Sequence, residues 1–276
     1  MRFELHCHST CSDGTEAPAH VAARAAAREV AVFALTDHDT CAGTAAAALS
    51  GAHVLRAVEI SCDEPDTGRT IHVLAYDRGG AGWDALEVKL ADLREARRNR
   101  MRVMAARLAQ RGIRVDVEPM IAEAEASGRT LGRPDLARLM LAKGAVTSMR
   151  EAFTRHLHDG GPVDVPHNAL KLPDALALGR AAGAAMSLAH PHLYDHLGVA
   201  LLRKHRDDGL AGVEAFYGVY DARERARWID LADELGLVCT AGSDWHGPED
   251  ASVQVGVDVA GDRGARLYDW LLSSSS

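Results

Sequence analysis

Short apolar runs alternate with amphipathic segments through much of the chain, a pattern that predicts repeating β/α units. Seven runs read as strands: Arg2 to Cys7, Ala31 to Leu35, Val54 to Ile60, Ile71 to Tyr76, Ala185 to Ala189, Gly212 to Phe216 and Leu237 to Ala241. Pro18 to Glu29, Ala42 to Leu49, Pro173 to Ala182, Leu197 to Asp208 and Ala222 to Leu235 read as helices, several opening near Pro, Asp or Thr and closing near Gly. The expected fold is α/β, with a largely parallel sheet that closes as a seven-stranded barrel. One connection differs, because only DEPDTGR, Asp63 to Arg69, joins the third and fourth strands. That length suits a hairpin and not a helical crossover, so Glu59 and His72 are expected to be neighbours.

From Trp83 to about Pro166 the strand pattern stops. A long charged helix replaces it, followed by helical patterns at Pro119 to Ala126, Pro134 to Ala142 and Ser148 to Leu157. The expected organisation is a barrel from 1–82 and 167–276, with a helical insertion, or cap, over 83–166. The basic run on the long helix, Arg94, Arg97, Arg98, Arg100, Arg102 and Arg107, has two readings: an RNA contact or a solvated helix face.

The 276 residues are 47% hydrophobic, enough for a sizeable core, and carry a net charge of −8. This acidic balance argues against a broad electrostatic footprint for nucleic acid or anionic membrane, so an anionic substrate must be attracted locally. No basic stretch precedes an apolar run, and no uncharged segment reaches the roughly 18 residues of a membrane span. A cytoplasmic protein with no membrane partner is expected. Five cysteines, an odd number without CxxC spacing, read as reduced and mostly buried. Cys7 lies between two histidines, but strand alternation turns its thiol away from them.

The candidate chemistry begins at HCHSTCSDG. There His6 and His8 stand two apart at a strand end and project to one side, with Asp13 in the loop beyond. Ligand-type residues then recur where successive strands meet the same face: Asp37 and His38 in LTDHDT, Glu59 in AVEIS, His72 in IHVLAY, His190 in SLAHPH, and Asp244 and His246 in AGSDWHG. Barrel active sites gather at such a face, which points to a metal centre. Three carboxylates set against three divalent cations leave an excess of three positive charges, a balance that favours phosphate. Mixed nitrogen and oxygen ligation suits Mn2+, Fe2+ or Zn2+.

On these motifs the chain resembles the PHP (polymerase and histidinol phosphatase) family of metal-dependent phosphoesterases, over residues 1–80 and 184–250. The resemblance implies a distorted TIM-like barrel of seven strands holding up to three divalent ions. One ion would sit on His6, His8, Glu59 and Asp244. A second would take Glu59, His72 and His190, and a third Asp13, His38 and His246. Such a centre lowers the pKa of a bridging water and stabilises phosphoryl charge.

Asp37 is expected to orient a ligand, with a helix N-cap shared with Asp39 as the alternative. Arg133 in LGRPDLAR lies where similar family members carry a substrate-phosphate arginine; a plain surface arginine is the other reading. Asp135 stands where the family pattern commonly has histidine. It either accepts hydrogen bonds from substrate or caps the following helix. His192, His167, Tyr194 and Tyr217 fall near the expected catalytic face, with His192 a substrate-binding candidate, and no residue is assigned as general acid.

The inserted segment resembles the subfamily acting on nucleoside 3′,5′-bisphosphates and short RNA 5′ ends, which implies hydrolysis of a nucleotide-like phosphoester. A phosphatase for another small metabolite, such as histidinol phosphate, is the enzyme alternative. A non-catalytic, metal-braced binding module is the third.

Overall fold

The computed structural model describes residues 1–47, 53–166 and 169–273. Nine strands form one sheet: β1 (Arg2–Glu4), β2 (Val32–Leu35), β3 (His53–Asp63), β4 (Thr70–Tyr76), β5 (Leu170–Lys171), β6 (Ala185–Leu188), β7 (Leu210–Tyr217), β8 (Val238–Gly242) and β9 (Val257–Asp258). Eight of them follow one another in the order β8-β7-β6-β4-β3-β2-β1-β9, while β5 pairs with β3 off this path. The sheet nearly closes into a barrel, because Leu5 N donates to Ala241 O at 3.1 Å and Asp244 N to His6 O at 2.7 Å across the seam between β1 and β8.

The seven expected strands are all present, and the largely parallel sheet is corrected to a mixed one. β4 runs antiparallel to both β3 and β6, and β9 antiparallel to β1. The cause lies in the short connection after β3. Glu64 Oε2 accepts from Thr67 N at 2.7 Å, and Gly68 takes φ +68°, so the chain reverses without a crossover. The two additional strands, β5 and β9, have two residues each and are too short to show an alternation.

Helices α1 (Pro18–Ala27), α6 (Leu172–Ala181), α7 (His196–His205) and α8 (Ala222–Leu235) pack around the sheet. In α8, Asp221 Oδ1 accepts from Glu224 N at 2.8 Å to cap the start, and Gly236 at φ +72° ends it. Within the expected helix Ala42 to Leu49, the described part is a 3-10 turn, Thr44–Ala47; its last residues lie outside the described ones. A further helix, α9 (Gly261–Leu272), buries Gly264, Leu267 and Leu271. No helix of the described residues is long and apolar enough to cross a membrane.

Between β4 and β5 lie α2 (Trp83–Gln110), α3 (Glu118–Ser127), α4 (Arg133–Ala142) and α5 (Met149–Ala152), the last running into a π-helical turn, Phe153–Leu157. The buried face of α2 follows Leu86, Leu90, Leu93, Arg97, Met101, Met104 and Leu108. Its first half joins the barrel core, and its second half joins a separate apolar cluster with Ile121, Leu136 and Val163.

The barrel seam depends on a residue without a side chain. A Cβ on Gly242 would stand 2.3 Å from His6 Cβ and 2.7 Å from His6 N. Gly242→Ala is therefore expected to push β8 off β1 and to cost about 1–3 kcal/mol of unfolding free energy in urea denaturation.

Candidate metal centre

One end of the barrel gathers all nine expected ligand residues. His6 and His8 follow β1, Asp13 lies in the next loop, His38 follows β2, Glu59 is on β3 and His72 on β4. His190 follows β6, and Asp244 and His246 follow β8. Glu59 sits at their centre, 1% exposed. Its Oε1 lies 3.0 Å from His72 Nδ1, 3.1 Å from His190 Nε2 and 3.3 Å from His6 Nε2. Its Oε2 lies 2.9 Å from His38 Nδ1 and 3.2 Å from His8 Nε2.

Asp244 Oδ1 lies 3.3 Å from His6 Nε2 and 3.2 Å from His8 Nε2. Asp13 lies 3.4 Å from His246 Nε2 and 3.7 Å from both His38 Nε2 and His8 Nδ1. These separations are those of donor atoms around a cation. Four donors about 2.1 Å from a common centre stand about 3.4 Å apart in a tetrahedron. Four overlapping sets have donors close enough to share an ion: His8, Asp13, His38 and His246; His6, His8 and Asp244; His6, Glu59 and His190; and His38, Glu59 and His72.

The donor set also fits a metal by what it lacks. His6 Nε2, His8 Nε2, Asp13 Oδ1, His38 Nδ1 and Glu59 Oε2 are buried and have no well-aligned hydrogen-bond partner. Buried polar atoms are costly in that state, and a cation satisfies them together. Burial opposes ionisation of Glu59, Asp13 and Asp244, yet the neighbouring imidazoles outweigh it and hold all three well below the usual carboxylate range. Burial likewise opposes protonation of His6 and His8, but carboxylates overcome it and raise both well above the ordinary imidazole value: Glu214, Asp244 and Glu59 at His6, and Asp244, Glu59 and Asp13 at His8.

Around these residues is a layer of supporting contacts. His6 Nδ1 lies 3.0 Å from both Glu214 oxygens, and Glu214 Oε2 also accepts from His190 N at 2.7 Å. That bond holds His190 at φ +27°, a conformation an L-residue seldom takes. Tyr217 Oη donates to Asp244 Oδ2 at 2.8 Å, leaving Oδ1 directed at His6 and His8. Glu4, pushed up to about 7 by burial, accepts from Ser243 N at 3.0 Å and Gly256 N at 2.5 Å, tying β1 to the Asp244 loop. The Cys7 thiol points to Ala34 O at 3.6 Å, into the apolar cluster behind the strand.

The remaining candidates fall in different places. Asp37 does not reach the donor cluster. It accepts from Ser9 N at 2.8 Å, Ser9 Oγ at 2.7 Å and Ser12 Oγ at 2.5 Å, and Ser12 Oγ lies 3.4 Å from His8 Nδ1. Arg133 lines a cleft of about 710 Å3 above the centre, together with Asp13, His38, His72 and His190. Asp135 is absent from that lining; its Oδ2 caps α4 by accepting from Gly132 N at 2.8 Å. His192 also lies off the lining, with Nδ1 2.8 Å from Tyr220 Oη, and His167 is outside the described residues.

The sequence reading missed Glu4 and Glu214, although both are charges set inside apolar strand runs, RFEL and GVEAF. It gave Arg69 no role and read Arg97 and Arg100 only within a basic helix run, for RNA contact or a solvated face, and all three line the cleft. The signal for Arg97 was its place in the buried stripe of α2. Arg97 Nε donates to Asp39 Oδ2 at 2.8 Å and Nη2 to Ser61 Oγ at 2.7 Å, whereas Arg98 and Arg102 pair at the surface with Glu95 and Glu118.

No family model matches the chain. A 3′,5′-nucleoside bisphosphate phosphatase of Chromobacterium violaceum is 35% identical over 267 residues, 92% of this chain and 90% of its own. A phosphoribosyl 1,2-cyclic phosphate 1,2-diphosphodiesterase of Eggerthella lenta is 32% identical, over 90% of this chain and 95% of its own. A 5′-3′ exoribonuclease of Haemophilus influenzae is 30% identical over 90% of each chain. Among solved structures, a Bifidobacterium adolescentis protein assigned as a metal-dependent phosphoesterase superposes with a TM-score of 0.79 at 27% identity, over 97% of this chain and 95% of its own.

Two outcomes are expected in metal titrations. Glu214→Gln should weaken divalent-cation affinity about 10–100-fold, because His6 loses the carboxylate that orients its ring. Affinity should also fall as the pH is lowered, since the raised pKa values of His6 and His8 make protons compete with the cation for their nitrogens.

Proposed function

The chain belongs to the PHP family of metal-dependent phosphoesterases, and on that premise we propose that it hydrolyses a nucleotide-like phosphoester, a nucleoside 3′,5′-bisphosphate or the 5′ end of a short RNA. It is a phosphoric ester hydrolase. The observation that carries the substrate reading is the placement of one buried carboxylate among five imidazoles beneath a cleft lined by Arg69, Arg97, Arg100 and Arg133.

On this reading the centre takes up to three divalent cations, Mn2+, Fe2+ or Zn2+, among its four overlapping donor sets. His6, His8, Glu59 and Asp244 would hold the first; Glu59, His72 and His190 would hold the second; Asp13, His38 and His246 would hold the third. Distances of 3.0–3.4 Å within the sets support this reading, and Glu59 would belong to the first two; His38, at 2.9 Å from Glu59, also lies within reach of them. When bound, such ions acidify a coordinated water and offset charge developing on the phosphoryl oxygens.

The protein's own part is placement. Arg133 Nη1 now donates to Leu157 O at 3.1 Å and to the exposed Asp159 at 2.5 Å, and a substrate phosphate replaces Asp159 as its partner. Arg100 stands close enough to feel the Arg133 charge, and burial, the larger effect, also lowers its pKa. Two anionic groups on one substrate would replace Asp159 at Arg133 and Asp164 at Arg100 together, which favours a bisphosphate or an oligonucleotide over a compact monophosphate. Asp37 acts at one remove, holding Ser9 and Ser12 behind His8.

The architecture supports the same reading. The barrel is built from seven main strands with two short additions, and the helical segment 83–166, with its own apolar cluster, is an insertion that brings arginines over the metal face. The five free cysteines and the bacterial relatives fit a cytoplasmic enzyme.

A substrate panel with Mn2+ tests the proposal. Nucleoside 3′,5′-bisphosphate and short 5′-phosphorylated RNA are expected to exceed histidinol phosphate by at least about tenfold in kcat/KM, and inactivity on every nucleotide-like ester would overturn it. Arg133→Ala should lower kcat/KM on the preferred ester about 10–100-fold, mainly through KM, as fits the loss of about 1.5–3 kcal/mol from one charged hydrogen bond.

A further inference from the structure

Residues 129–138 grip the loop that carries Asp13. Arg129 Nε donates to Thr10 O at 2.9 Å, Thr130 N to Cys11 O at 2.9 Å, and Arg138 Nη2 to Asp13 O at 2.7 Å. Both guanidiniums meet at one carboxylate, that of Asp135, which is 4% exposed. Its Oδ1 accepts from Arg129 Nη2 and, at 3.4 Å, from Arg138 Nη1, while its Oδ2 caps α4 through Gly132 N. The inner side of the same loop is fixed as well. A Cβ on Gly14 would meet His8 C and O at 2.7 Å, so the loop is pressed against the end of β1.

We infer that Asp135 is a positioning residue for the Asp13 cation: it holds Arg129 and Arg138 side by side so that the helical segment clamps the loop from which Asp13 faces His38 and His246. Two adjacent guanidiniums without this carboxylate repel each other. Arg138 would then leave Asp13 O, and the loop would lose its outer support. The inference rests on the reading of Asp13 as a metal ligand. It gives the Asp135 carboxylate a task away from the substrate, and it makes one cation depend on the docking of α4.

Mn2+ titration of the full chain, with kinetics at low and saturating Mn2+, tests this on Asp135→Asn, Arg138→Met and Asp13→Asn. The first two variants are expected to weaken one class of Mn2+ site about tenfold or more and to leave the rest unchanged. Their kcat should fall at low Mn2+ and recover in excess Mn2+, with KM for the ester unchanged. Adding either of them to Asp13→Asn should cost no Mn2+ affinity beyond what Asp13→Asn costs alone.

Wild-type Mn2+ binding in Asp135→Asn and Arg138→Met, with KM raised tenfold or with no effect at all, overturns the inference. If Asp13→Asn loses one Mn2+ class while those two keep it, the inference alone fails. If Asp13→Asn binds Mn2+ like the wild type, the ligand reading beneath it fails too. Should Asp135→Asn not fold, Arg138→Met decides by the same criteria, since its side chain is partly exposed and does not cap the helix.

Discussion

Glu59 is a carboxylate withdrawn from water and surrounded by nitrogen donors. Burying a charge costs several kcal/mol unless it is paired, and hydrogen bonds alone leave Oε2 unsatisfied here. The surrounding fold is arranged to meet that cost. β3 must run long enough to carry Glu59 past the β2 end, where His38 and Glu59 form an isolated parallel bridge. β4 must return antiparallel so that His72 stands beside it, and the turn between Asp63 and Thr70 allows no other arrangement.

The same constraint shapes the backbone. His190 and Asp244 both adopt positive φ, and Asp39, next to His38, does as well. Each is held by a strong local contact: His190 N by Glu214, Asp244 N by the His6 carbonyl, and Asp39 by Arg97 and by Ser61 N at 2.8 Å. Strain of about 1–3 kcal/mol per residue persists only where neighbouring structure fixes it, and here it bends side chains inward at the strand ends. Gly14 and Gly242 serve the same end by close approach, letting the loop and the seam strand lie directly against His8 and His6.

How much of this could be read from the chain depended on whether a local rule applied. His6 and His8 share a face by strand alternation, and Glu59 meets His72 because the short DEPDTGR connection between their strands forces a hairpin. Those relations are short in sequence; the other five candidate ligands were read from the recurrence of ligand-type residues at strand ends and from the family resemblance. β5 and β9 were invisible, since two residues carry no period. Arg97 was harder, because its partners Asp39 and Ser61 lie far away in sequence, and so was Asp135, whose own partners are local but hold a loop more than a hundred residues distant. The identity of a residue does not say whether it faces a substrate or another part of the chain. Glu214 shows the intermediate case: a charge inside an apolar strand announces a buried role without naming its partner.

The acidic chain and its arginine-lined cleft are reconciled by a division of labour. The barrel supplies carboxylates and imidazoles, whose affinity is for cations, while the guanidiniums above them come from elsewhere: Arg69 from the hairpin, Arg97 and Arg100 from α2, and Arg133 from the start of α4. An arginine on the barrel floor would compete with the metals for the same carboxylates. In the structure Arg133 and Arg100 are partnered by Asp159 and Asp164, Arg97 by Asp39, and Arg69 by the Leu193 carbonyl. Substrate choice can then change through the helices without disturbing the donor set, except at the one contact where α4 reaches down to the Asp13 loop.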